Sequence, residues 1–219
     1  MEAYFGKVEV KQKYVARMRA HMDADELIRG TGFEDGKGCA VGCTLDRYDH
    51  SGFEEELGIP EWAARLLDAL HENTSDDVWP TLSMRFLEAI EPGVDLSPVK
   101  SKINIFILDR NIERVYSLNI EDDLKGQVVS AIEKCRDLHV DKLRGVIAES
   151  AESAESAAWS AAESAWSAAE SAARSAARSA ESAAESAWLA AWSAAESEEH
   201  DAVAEELVRL LAEEGGRNE

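Results

Sequence analysis

The sequence predicts a mainly α protein: a compact N-terminal helical domain followed by a long straight Ala/Ser-rich helix that packs in a helical bundle. Three observations predict it. Large apolar residues recur three and four positions apart through most of the first 147 residues. Gly and Pro punctuate that stretch at helix-length intervals. From Glu149 to Ser197, serines return with the period of an α-helix.

The elements follow in order. Ala3-Tyr4-Phe5-Gly6-Lys7-Val8-Glu9-Val10 alternates as a short strand or an extended lead-in would. Tyr14, Met18, Met22 and Leu27 mark a helix from Lys11 to Ile28, ended by Gly30-Thr31-Gly32. A glycine-rich loop, Gly32 to Gly38, leads into the small-residue run Cys39 to Leu45, which is compatible with a helix. Ser51 is placed to cap Gly52–Leu57, and Pro60 stands in the first turn of a helix running to about Leu70. Trp79-Pro80 opens a helix that stops at Glu91-Pro92-Gly93. Ser97-Pro98 caps a segment from Val99 to Tyr116. Its run Ile103–Leu108 suits a buried helix or a strand, and the cap and length favour helix. Leu124, Val128, Ile132, Cys135, Val140, Leu143 and Ile147 then describe one more amphipathic helix.

The repeat is a matter of geometry. Between Ser150 and Ser197, 47 residues cover 13 serine steps when one long gap counts as two, which is 3.62 residues per step. A helix turns once in about 3.6 residues, so the serines draw one nearly straight stripe. The residue before almost every serine is large or charged, and alanine fills nearly everything else. Eleven-residue blocks begin at Ser160, Ser171 and Ser182, a period that coils weakly in the sense opposite to a seven-residue one, and the overall step of 3.62 implies a nearly straight rod. Such a rod is on the order of 70 Å long, whereas a domain of this size is roughly 30 Å across and cannot cover it. Copies of the same helix are the simplest partners, because small faces let helices approach closely. The expected interface is Ser160, Ser164, Ser167, Ser171 and Ser175, flanked by Trp159, Trp166, Trp188 and Trp192. The expected organisation is a globular domain over 1–147, the repeat helix over 148–200, and a short apolar helix with a flexible acidic tail over 201–219. Val203, Leu207, Leu210 and Leu211 either continue the long helix or form a separate one.

Charge narrows the partners. The net charge of −21 divides into −12 for residues 148–219 and −9 for the rest. Such a chain repels nucleic acid and anionic membranes, so direct binding to either is not expected. A protein that imitates DNA to occupy a basic site on a host factor stays compatible with this charge. With three cysteines, an N-terminus charged from its second residue and no run of about 18 apolar residues, the sequence reads as cytoplasmic.

The most enzyme-like string is Gly36-Lys37-Gly38-Cys39-Ala40-Val41-Gly42-Cys43. A cysteine at a helix start beside lysine suits a nucleophile, with His50 or His71 as base. Small residues that permit close packing are the competing explanation. Cys39 and Cys43 are spaced i, i+4, as are Cys135 and His139, and the four would make a Cys₃His zinc set, although their spacing is unlike common zinc modules. The glycine loop is not a P-loop, because only three residues separate Gly32 from Gly36 and no Ser or Thr follows Lys37. No catalytic set is assigned, and zinc is the one cofactor entertained.

The glycine–cysteine string, with Asp49-His50-Ser51 and Leu57-Gly58-Ile59-Pro60-Glu61-Trp62, resembles a family of bacterial and phage proteins with no established activity. Some of its members carry Ala-rich tails with periodic Trp. The resemblance covers most of the chain, implies a phage-related origin and supplies no catalytic residues. The repeat alone also resembles the helical fish antifreeze proteins, but those use spaced threonine where this chain has serine, tryptophan and glutamate. The expected function is non-enzymatic: self-association through the repeat helix, with the N-terminal domains presented to a partner. The alternatives are an acidic phage-type inhibitor of a host factor, a Cys39/Cys43 enzyme or metal centre, and, more remotely, ice binding.

Overall fold

The computed structural model describes residues 1–145 and 182–216, with side chains from Ser197 onward in the second stretch. Helices dominate these residues, as the apolar spacing predicts. The chain groups into two units: Met1–Lys100 with Ala195–Glu219, and Ser101–Ala194.

In the first unit the N-terminus is not a strand. Ala3–Gly6 is a 3-10 turn in which Tyr4 and Phe5 both take left-handed backbone angles (φ 52°). Such angles cost non-glycine residues about 1–2 kcal/mol each. The turn is held because buried Tyr4 donates its hydroxyl to Leu87 O at 2.8 Å, while Ala3 N donates to Val94 O at 2.9 Å and Gly93 N to Ala3 O at 2.7 Å. Alternation in this segment therefore reflects a turn with one side chain in the core.

Helix α1, Val8–Asp23, begins and ends earlier than the Lys11–Ile28 reading. Asp25 turns left-handed, and the chain then extends beside Gly38, with Ile28 N donating to Gly38 O at 2.9 Å and Gly38 N to Glu26 O at 3.0 Å. Leu27 reaches the core from this extended segment, so its helical spacing from Met22 is a coincidence of burial. The glycine-rich loop is a small hairpin of β1, Phe33–Glu34, and β2, Lys37–Gly38, in antiparallel register. Its turn residues Asp35 and Gly36 both have positive φ (49° and 82°), the geometry that Asp-Gly supplies at least cost.

Helix α2, Ala40–Leu45, follows directly and is buried along its whole length. Helix α3, Ser51–Leu57, contains Ser51 rather than being capped by it, and the Ser51 hydroxyl donates to Asp49 Oδ1 at 2.7 Å. Helices α4, Glu61–Asn73, and α5, Trp79–Ala89, pack on each other and on the α1–α2 layer. Tyr4, Tyr14, Met18, Phe53, Leu67, Leu82 and Phe86 fill the core between them.

Helix α6, Ser97–Ser117, confirms the helical reading of Ile103–Leu108. Helix α7 spans Asp122–Leu143. In the second unit they share a core of Leu108, Val115, Val128, Val129, Ile132 and Cys135. Arg136 Nε meets Asp109 Oδ1 at 2.5 Å, and Asn104 lies 3.3 Å from His139 Nε2.

Helix α8, Ser182–Gly215, runs unbroken from the last repeat block into the first unit, so the apolar segment continues the repeat helix. Val203, Ala204, Leu207, Leu210 and Leu211 are buried. Asp201 Oδ1 accepts from Ser75 N at 2.7 Å, and Glu205 takes both Arg85 amino groups at 2.5 and 2.6 Å. Farther along, Gly215 packs against the Glu91 side chain. The end of the chain is thus a core element of the unit in which the chain begins.

Candidate functional site

The glycine–cysteine string brings Cys39 to a group of titratable side chains in the first unit. The hairpin and α2 pack backbone to backbone. A Cβ on Gly42 or on Gly38 would collide with the carbonyl oxygen of Gly32, and one on Gly32 would sit 2.5 Å from the Tyr48 ring. Cys39 N donates to Thr31 O at 2.9 Å and Gly32 O at 3.1 Å, which fixes the start of α2. The glycines are there because two chain segments meet at a distance that no side chain permits.

Cys39 comes to rest under Asp68 of α4. The Asp68 Oδ2 atom accepts from the Tyr48 hydroxyl at 2.9 Å and lies 3.0 Å from His50 Nε2. Tyr48 meets the His50 ring edge to face, with centroids 5.0 Å apart, and remains 52% exposed. His50 and Asp68 are mostly covered. The hydrogen bond to Asp68, with burial, pushes the Tyr48 hydroxyl up to about 12.

Both thiols are held protonated. Burial, assisted by the Asp68 carboxyl, pushes Cys39 up to about 12 against the lowering effect of the α2 backbone amides. Burial pushes Cys43 up to about 11, and its thiol donates to Gly38 O at 3.3 Å. A nucleophilic cysteine needs a thiolate at neutral pH, and neither environment supplies one. Of the two histidines weighed as bases, His50 is bound to Asp68, and His71 is buried with Nε2 3.0 Å from Ile28 O.

The zinc set is divided between units. Cys39 and Cys43 belong to the first, whereas Cys135 and His139 are buried on α7 in the second. None of the three cysteines is in a disulfide. Among the described residues no three His, Cys, Asp or Glu side chains converge as metal ligands would. Of the expected interface, Trp159, Ser160, Ser164, Trp166, Ser167, Ser171 and Ser175 lie outside the described residues, as do the side chains of Trp188 and Trp192. Sequence reasoning missed Asp68 and Tyr48. The one available signal was a carboxylate inside the apolar run Leu66-Leu67-Asp68-Ala69-Leu70.

The fold and this cluster define a mainly α protein with an aromatic–carboxylate group, Tyr48, His50 and Asp68, beside the buried Cys39 thiol. Among the described residues no helix is long and apolar enough to cross a membrane. The chain matches no protein-family model, no curated protein and no solved structure.

Proposed function

We propose that this is a cytoplasmic, non-enzymatic assembly protein: copies associate through the Ala/Ser-rich repeat, and each presents its first unit to a protein partner. The observation that carries this reading is the serine phase, which averages 3.62 residues per step over 47 residues when the one seven-residue gap counts as two. An uninterrupted alanine strip is poorly satisfied by water and well satisfied by another small-faced helix. The helical conformation of the last repeat block, continuous with the docked end of α8, supports it. The protonated thiols support a binding role over cysteine chemistry.

Multi-angle light scattering of the full chain over a range of concentrations tests the reading. The expected mass is a multiple of 24.0 kDa that falls on dilution. Replacing Ser164 and Ser175 together with Gln, which keeps helix propensity but widens the stripe, is expected to shift the population toward monomer. A 24.0 kDa species at every concentration contradicts the proposal.

The charge of −21 favours one second reading, an acidic inhibitor seated on a basic site of a host factor. Binding of that kind weakens steeply between low and moderate salt, whereas association through an alanine seam does not.

A further inference from the structure

His71 is a fully buried titratable group with no part in the cluster described above. Its Nε2 lies 3.0 Å from Ile28 O, and a carbonyl only accepts, so Nε2 carries the proton and Nδ1 is the bare nitrogen. That Nδ1 is buried with no hydrogen-bond partner among the described residues. The ring stands edge-on to Trp79 with centroids 5.4 Å apart. Arg29 closes the assembly: its Nε donates to His71 O at 2.7 Å, its Nη2 donates to Thr74 O, and its guanidinium lies 4.9 Å from the Trp79 ring.

A neutral imidazole fits this place and an imidazolium does not. Protonation would create a buried N–H with no acceptor and a second cation beside Arg29. The charged groups around the ring are Asp68 and Glu72 on α4, Arg29 on the extended segment, and Asp76, which pairs with Arg29 at 3.5 Å and accepts from Trp79 Nε1 at 3.2 Å. Burial outweighs the carboxylates and holds the ring below the ordinary histidine range. The chain from Thr74 leads straight to Ser75, whose amide holds Asp201 of α8 at 2.7 Å.

We propose that His71 is an acid-sensitive pin: taking up a proton, it loosens the Ile28–Arg29 segment and the end of α4, and with them the seat of the C-terminal helix at Ser75. The sign follows from linkage. A ring that is harder to protonate in the folded state contributes stability above the unfolded value of about 6.5, and that contribution is lost as pH falls toward the folded value. Within that window the local opening constant rises by up to about tenfold per pH unit. The consequence for function is that mild acid frees the chain end that joins the repeat to the first unit.

Amide hydrogen exchange on the full chain at pH 7.5 and 5.5, corrected for intrinsic rates, tests the proposal. In the wild type, peptides from 26–32, 70–79 and 198–215 are expected to lose up to about tenfold of their protection at pH 5.5, with α1 changing less. His71→Phe is expected to show equal protection of these peptides at both pH values. No acid loss in the wild type, or the same loss in both proteins, overturns the proposal. If His71→Phe fails to fold, histidine ring titration of the wild type by NMR decides. The His71 ring must titrate below the unfolded histidine value of about 6.5, with the loss of protection levelling off as the ring charges. A midpoint that follows His200, the neighbour of Asp201, refutes the assignment.

Discussion

Gly42 fixes how closely the hairpin and α2 meet. Its missing side chain leaves room for the Gly32 carbonyl, a backbone group that no rotamer change moves aside. Gly42→Ala is therefore expected to destabilise the first unit by about 2–3 kcal/mol, in the range of overpacked cores. A fall in the denaturant midpoint at constant slope checks it. In sequence the same string reads first as a packing motif and only second as a nucleophile, because residue types alone do not report whether a thiol lies in water or beneath a carboxylate. Burial decides the case: Cys39 is 1% exposed and sits against Asp68, 29 positions away in sequence. Tyr4 shows the opposite limit. Nothing in Ala3-Tyr4-Phe5-Gly6 announces two left-handed residues in succession, since the contacts that hold them come from Leu87, Gly93 and Val94.

Among elements, the helices with large apolar residues at three-and-four spacing were legible. The α4, α5, α6 and α7 readings lie close to the observed bounds, and the length of the segment correctly favoured helix for Ile103–Leu108, although Ser97 lies inside α6 and donates to Asp95 rather than capping the helix itself. The hairpin was hidden by its size, two residues per strand, although Asp35-Gly36 is the dipeptide such a turn prefers. The least legible feature was where α8 goes. Leu207 and its neighbours read as a generic apolar helix, and nothing local specifies that Arg85 receives Glu205 or that Ser75 receives Asp201, more than a hundred residues apart. Leu207 is fully buried, so Leu207→Ala is expected to cost about 2–5 kcal/mol of unfolding free energy. The exposed Arg85–Glu205 pair contributes at most about 1 kcal/mol by double-mutant cycle. Equal, small effects from both would mean that the helix lies on the surface without belonging to the core.

For the whole molecule, the division of the chain matters most. The first unit is built from both ends of the sequence, with residues 101–194 inserted between them. Truncation after the α7 region removes α8 and with it Val203, Ala204, Leu207, Leu210 and Leu211, leaving their partners exposed. A fair separation of assembly from folding instead joins Lys100 to Ala195 through a flexible Gly/Ser linker. About 20 such residues span roughly 25 Å, close to the width of a unit this size. This shortened chain is expected to unfold in one cooperative transition and to keep the α8 contacts.

Sedimentation equilibrium of the full chain beside that linker-joined version tests the central claim most directly. Self-association through the repeat predicts a concentration-dependent multiple of 24.0 kDa for the full chain and a monomer for the shortened one. A monomeric full chain, or the same association in both proteins, would contradict it.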